Sequence, residues 1–181
     1  GVKVLVLPEL GLTGYTCGDL FYQDPLLREA EEALRTVLTA TRNLEVVTAL
    51  GMPLRVHNKL YNCAIIIQKG KILGLVPKTH LPNYGEFYEK RWFAPAPAEP
   101  EVVNLCGQDS LIFQAGQIFE CENIPGLTLG FEICEDLWSP DAPSTEMAKA
   151  GAAIIGNLSA SNDVVGKDAY RRQLVTMQSA K

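Results

Sequence analysis

The 181-residue sequence has little of what marks a membrane, nucleic-acid-binding or secreted protein. No apolar run approaches the ~20 residues that span a bilayer, and the first residues show no cleavable signal pattern. The formal net charge is -5, and without a basic cluster there is no electrostatic footprint for nucleic acid or anionic lipid. We therefore predict a cytoplasmic protein with a small-molecule or protein partner and with no nucleic-acid or membrane partner.

Patterns for metal or phosphate binding are also lacking. The five cysteines are widely spaced and form no Cys-x-x-Cys pair, and His57 and His80 are the only histidines. Zinc sites need closely spaced cysteine or histidine pairs, and a disulfide framework needs an even number of cysteines, so we expect free thiols and no metal site. Neither a Gly-x-x-x-x-Gly-Lys loop nor a Ser-Gly-Gly-x-Asp-Ser loop occurs, which argues against an ATP site in these residues.

What the sequence does contain is an alternation of strand-like and helix-like segments, with 47% hydrophobic residues to build a core. Lys69 and Gly70 form a hairpin-like turn, which makes the predicted sheet mixed. This order of elements indicates an α/β domain. Strands are predicted at residues 2–7, 44–50, 61–68, 71–76, 127–134 and 152–158, helices at 24–41, at 145–150 and from 168, and an irregular excursion at 82–100.

Three ionisable residues, Glu9, Lys78 and Cys134, each follow a strand-like run. Reactive groups of open α/β folds gather at the carboxyl ends of strands, so the three could converge. A thiol of pKa ~8.5 needs activation, and a carboxylate base, an ammonium and a thiol suffice for metal-free amide hydrolysis. Taken singly, the cysteine could equally be an apolar filler and the two charged residues ordinary loop residues.

Three blocks of sequence resemble, in order, the catalytic signatures of the nitrilase, or carbon-nitrogen hydrolase, superfamily. They are residues 7–15 (LPELGLTGY), 76–82 (VPKTHLP) and 131–138 (FEICEDLW). Residues 83–93 (NYGEFYEKRWF) and 157–161 (NLSAS) are similar to the glutaminase domains of glutamine-dependent NAD synthetases. The resemblance covers residues 1–181 and implies a four-layer αββα sandwich with mixed sheets, of the α/β (α+β) class and truncated at both ends.

The resemblance also implies roles for individual residues. Glu9, Lys78 and Cys134 become a catalytic triad, and Glu86, eight residues after the lysine, becomes a second catalytic glutamate that orients Lys78. Glu89 is its rival, with a surface partnership to Lys90 or Arg91 as the favoured interpretation. The N–H of Glu135 joins Lys78 in the oxyanion hole. Glutamine contacts are expected from Tyr15, Tyr84, Phe87, Glu135, Ser161 and Lys167.

The implied reaction is hydrolysis of the L-glutamine side-chain amide through a thioester on Cys134, without a cofactor. The ammonia would serve an NAD synthetase domain that uses ATP and Mg and lies outside these residues, in an enzyme expected to be a homo-oligomer. Two alternatives stay open: another amidase of the superfamily, such as an ω-amidase or an N-carbamoyl amide hydrolase, and a non-catalytic assembly or regulatory module.

Overall fold

The computed structural model describes residues 1–180 and contains a six-stranded and a three-stranded β-sheet. The larger sheet has the strand order β1-β2-β3-β4-β6-β5. β1 is parallel to β2, and β4 to β6, whereas the other pairs are antiparallel, so the sheet is mixed as predicted. Its strands are β1 (Val4–Val6), β2 (Val47–Val56), β3 (Lys59–Gln68), β4 (Lys71–Pro77), β5 (Glu101–Leu105) and β6 (Gln108–Phe113).

The smaller sheet is built around β8 (Thr128–Ile133), with β7 (Ile118–Glu120) antiparallel on one side and β9 (Ile154–Leu158) parallel on the other. The two sheets lie face to face, because β3 and β4 contact β8 while β1 and β2 contact β9. A parallel pair needs a crossover connection, and the chain between β8 and β9 provides it with two short helices.

Helices cover the outer faces of both sheets. A proline in the first turn favours the start of the longest helix, α1, which packs against β2, while α4 packs against β8. The layers are therefore helix, sheet, sheet and helix, the αββα sandwich. The helices are α1 (Asp24–Thr41), α2 (Glu89–Trp92), α3 (Glu135–Trp138), α4 (Pro143–Lys149) and α5 (Lys167–Ser179), with a 3₁₀ segment at Tyr15–Tyr22.

The central strands β2 and β3 of the larger sheet are buried on both faces, which explains their nearly continuous apolar sequences. Along β3, Cys63 and Ile65 belong to the core beneath α1, whereas Ala64 and Ile66 belong to the core between the sheets. Successive side chains of a strand point to opposite faces, so a strand that contributes to two cores needs apolar residues at every position.

The predicted elements are present, with ends shifted by a few residues, and α1 spans residues 24–41 as predicted. The irregular excursion at 82–100 is interrupted only by the single turn of α2. The hairpin of β5 and β6 and the short strand β7 were not predicted. Val102 and Ile112 of that hairpin are exposed, so its pattern lacks a clean core-facing alternation. No helix within residues 1–180 is long and apolar enough to cross a bilayer.

Candidate active site

The ends of β1, β4 and β8 bring Glu9, Lys78 and Cys134 to one buried location between the two sheets. Their exposed fractions are 1%, 0% and 6%, respectively. Lysine and glutamate are almost never fully buried unless they are paired, and here the Lys78 Nζ donates a hydrogen bond of 2.6 Å to the Glu9 Oε1. The three residues that follow these strands therefore lie together in the structure, as predicted.

The loop that carries Glu9 packs directly on the backbone of β2. A Cβ on Gly51 would lie 2.3 Å from the backbone nitrogen of Leu10, so only glycine permits this approach. The N–H of Leu12 donates to the Gly51 carbonyl at 3.1 Å and fixes the loop. Gly51 thus allows the loop after β1 to lie close to β2 and helps to set the depth at which the Glu9 carboxylate is held.

Three donors hold the Glu9 carboxylate. Besides Lys78, the Asn62 Nδ2 donates to Oε1 at 2.7 Å, and the Ala160 N–H donates to Oε2 at 3.1 Å. Ala160 follows β9, so the carboxylate is bound from both sheets. Oε1 therefore receives two donors and Oε2 receives one.

Lys78 lies between two carboxylates, because its Nζ also donates to the Glu89 Oε1 at 2.7 Å. Burial by itself would lower the pKa of Lys78, but the negative charges of Glu9 and Glu89 outweigh it and raise that pKa above its ordinary value. The side chain is consequently an ammonium at neutral pH and a fixed positive charge in the site.

Cys134 occupies the sharp turn from β8 into α3. Its φ of 45° lies in the left-handed region, which non-glycine residues occupy at a cost on the order of 1–3 kcal/mol when the surrounding structure enforces it. Two backbone hydrogen bonds hold this conformation: the Cys134 N–H donates to the Leu158 carbonyl at 2.9 Å, and the Leu137 N–H donates to the Cys134 carbonyl at 3.1 Å. The residue that carries the thiol is thus one of the strained positions of the backbone.

The resting Cys134 is a protonated thiol. Burial first, and then the negative charge of Glu9, raise its pKa to about 12, while the charge of Lys78 and a hydrogen bond from Ser159 act in the opposite direction. A thiol in this state attacks only if a base removes its proton during the reaction, and Glu9 is the carboxylate whose field it feels most strongly.

Asp136 ties the Lys78 strand end to the Cys134 turn. Its Oδ1 accepts from the N–H groups of Thr79 at 3.0 Å and His80 at 2.7 Å, and its Oδ2 accepts from the Ile133 N–H at 3.0 Å. Burial raises the pKa of Asp136 to about 6, although the backbone donors favour the anion. One carboxylate thereby fixes the two sheets together beside the site.

The structure contradicts the prediction that Glu86 orients Lys78. Glu86 is exposed and accepts from the Asn162 side chain, whereas Glu89 is 1% exposed and accepts from Lys78 and, at 2.8 Å, from the Tyr15 hydroxyl. The surface interpretation of Glu89 is wrong as well. The chain folds back so that the Glu89 N–H donates to the Pro82 carbonyl at 3.1 Å, which turns this residue inward.

Aromatic and charged residues form the rim around the buried groups. The Tyr84 hydroxyl lies 2.9 Å from both carboxylate oxygens of Glu135, the neighbour of the cysteine, and the Tyr84 and Phe87 rings meet edge to face at 5.8 Å. The Lys167 ammonium lies 5.7 Å from the Phe87 ring centre and donates to Asn162. Of the predicted glutamine contacts, Tyr84, Phe87, Glu135 and Lys167 thus line one rim. Tyr15 is turned toward Glu89, and Ser161 lies in the loop after β9.

Sequence reasoning missed Asn62 and Asn162. Asn62 had a detectable signal, since it is a carboxamide within the apolar run from Leu60 to Ile67 and such a residue needs a buried polar partner. Asn162 lies in a polar loop and had none. Among the described residues, 1–180, no group of three or more His, Cys, Asp or Glu side chains is placed to hold a metal ion.

Several known proteins are similar to this chain in sequence or in structure. A glutamine-dependent NAD(+) synthetase from Mycobacterium tuberculosis is 41% identical over 181 residues, which is 100% of this chain and 26% of that protein. One from Thermotoga maritima is 36% identical over 180 residues, 99% of this chain and 28% of that protein. The crystal structure of a glutamine-dependent NAD(+) synthetase from Cytophaga hutchinsonii superimposes with a TM-score of 0.82 at 30% identity and covers 98% of this chain and 28% of that one.

The chain thus spans about a quarter of the length of the curated relatives that it matches. The sequence model of the carbon-nitrogen hydrolase family aligns with residues 1–180. Because that match runs through all three strand-end motifs, this chain belongs to the carbon-nitrogen hydrolase family.

Proposed function

We propose that this chain hydrolyses the side-chain amide of L-glutamine to glutamate and ammonia, as the glutaminase part of a glutamine-dependent NAD synthetase. The observation that carries the proposal is the buried contact of Glu9 and Lys78 beside the strained Cys134 turn. The 41% identity over the whole chain to an NAD synthetase supports the choice of glutamine.

In the first half-reaction Glu9 removes the thiol proton of Cys134 as the sulfur attacks the amide carbon. The new C–S bond places a negative charge on the former carbonyl oxygen, where the Lys78 ammonium and the N–H of Glu135, at the free amino end of α3, stabilise it. The C–N bond then breaks. Glu9 returns its proton to the leaving nitrogen, ammonia departs and a γ-glutamyl thioester remains on Cys134.

In the second half-reaction a water molecule replaces ammonia. Glu9 takes a proton from the water as its oxygen attacks the thioester carbon, and Lys78 again stabilises the oxyanion. The C–S bond breaks, Cys134 recovers its proton from Glu9, and glutamate leaves. The same carboxylate therefore acts as base and acid in both halves, which requires that it stay in one position.

The rim residues suit the two charged ends of the substrate. Glu135 can pair with the α-ammonium group, and Lys167 can pair with the α-carboxylate. Tyr84 holds Glu135 in place through its 2.9 Å contacts, and Phe87 lies beside Lys167 and can cover the aliphatic part of glutamine. Free glutamine would displace the present Lys167 contact to Asn162.

The wider assignment follows from the relatives. We propose that the ammonia is consumed by an NAD synthetase domain outside this chain, where ATP and Mg would be used, and that the enzyme is a cytoplasmic homo-oligomer. The glutaminase step itself needs no cofactor in this proposal, since base, cation and nucleophile are all side chains of the chain.

The proposal is tested by comparing ammonia release from glutamine, asparagine and an N-carbamoyl amino acid. We expect turnover of glutamine to exceed that of the other two, and labelling of Cys134 by diazo-oxo-norleucine, an electrophilic glutamine mimic. Equal turnover of all three would favour another amidase of the superfamily. A folded protein that neither releases ammonia nor is labelled would favour a non-catalytic module.

A further inference from the structure

We propose that Asn62 is a positioning residue that fixes the protonation site of the Glu9 carboxylate. The inference rests on the proposed function in one respect, since it takes Glu9 as the base for Cys134. It concerns a side chain to which the triad assigns no role.

Asn62 contacts the two carboxylates that flank the Lys78 ammonium and also the backbone of the lysine. It lies near the middle of β3 and is fully buried. Its backbone carbonyl accepts from the Lys78 backbone N–H at 2.8 Å, and its side-chain Nδ2 donates to the Glu9 Oε1 at 2.7 Å and approaches the Glu89 Oε2 at 3.5 Å. One residue therefore holds the backbone of the lysine and the carboxylate of the base.

The geometry at Glu9 determines where a proton can bind. A carboxylate oxygen has two lone pairs, and those of Oε1 are taken by Lys78 Nζ at 2.6 Å and by Asn62 Nδ2. Oε2 receives only the Ala160 N–H and keeps one lone pair. A proton taken from the thiol therefore binds Oε2, the oxygen from which it is later returned to ammonia.

The orientation of the amide supports this role. Both groups that face Nδ2 are carboxylates, which accept hydrogen bonds, so the NH₂ end of Asn62 must point toward them. In the described part of the chain, the buried Oδ1 of Asn62 has no hydrogen-bond partner. An unpaired buried oxygen costs stability, so the contribution of this amide to the site comes from its donor.

Asn62→Leu tests the inference because leucine has a similar branched shape and no donor. We expect kcat to fall by about 10- to 100-fold, the value of one hydrogen bond to a charged group. We also expect the acid limb of kcat/KM for glutamine to move up by about one pH unit, because losing a donor favours the protonated carboxyl. The KM for glutamine should change little. Cys63→Ala, a neighbouring buried residue of β3 on the opposite face, is the control and should keep the wild-type pH profile.

An unchanged acid limb in folded Asn62→Leu, with active wild-type protein, would overturn the inference. The pH dependence of Cys134 alkylation by iodoacetamide needs no substrate and should show the same displacement. A wild type without glutaminase activity would therefore refute the proposed function, while alkylation still decides the role of Asn62. If Asn62→Leu does not fold, NMR of the wild type decides: the Asn62 side-chain amide protons should titrate with the acid limb, and a pH-independent signal would refute the inference.

Discussion

Two single substitutions, Glu89→Gln and Glu86→Gln, separate the two candidates for the second glutamate of the active site. Glu89 accepts hydrogen bonds of 2.7 Å from Lys78 and 2.8 Å from Tyr15, whereas Glu86 is exposed on the rim. A charged hydrogen bond contributes about 1.5–3 kcal/mol, so Glu89→Gln should lower kcat by roughly 10- to 150-fold. Glu86→Gln should remain within about twofold of the wild type.

The stability of Glu89→Gln should not fall with its kcat. Burial raises the pKa of Glu89 despite the nearby positive charge of Lys78, so the ionised form is disfavoured in the folded protein. A neutral glutamine removes that unfavourable charge, and the melting temperature should stay equal or rise while kcat falls. Continuous ammonia detection and thermal unfolding measure the two effects on one preparation. A larger loss of kcat in Glu86→Gln than in Glu89→Gln would refute the reasoning from burial and contacts.

Three further predictions concern the remaining buried groups. Cys134→Ala should abolish ammonia release and diazo-oxo-norleucine labelling but retain the far-UV circular dichroism spectrum, and residual turnover would exclude the thiol as nucleophile. Lys78→Ala should lower kcat by about 10²–10³-fold and the unfolding free energy by about 3–5 kcal/mol, because two buried carboxylates lose their cation; a full-rate variant would mean another oxyanion donor. Asp136 has its pKa raised from 3.8 to about 6, so the folded state binds its proton more tightly and the wild type should lose about 3 kcal/mol relative to Asp136→Asn as pH rises from about 4 to 7. The unfolding free energy of both proteins is measured by urea unfolding at several pH values. The same pH dependence for the two proteins would contradict the predicted sign.

Much of the fold could be predicted because it depends on short-range patterns. Apolar runs bounded by turn residues predicted the strands at the centres of both sheets. Asp24-Pro25, followed by apolar residues at helical spacing, predicted α1. The hairpin of β5 and β6 was not predicted because the apolar residues Val102 and Ile112 face solvent, so neither a continuous nor an alternating apolar pattern marks it. Its position depends on pairing with β4, which is distant in sequence.

For the site, the sequence by itself predicted that Glu9, Lys78 and Cys134 lie together, since each follows a strand whose pattern is local and lies in a recognisable motif. Only the tertiary structure decided between Glu86 and Glu89 and brought in Asn62. The choice of glutamate depends on how residues 82–93 fold back over β4, and the role of Asn62 depends on which face of β3 meets the Glu9 loop. Both are contacts between distant segments in a buried space, where a paired charge is tolerated and an unpaired one is not.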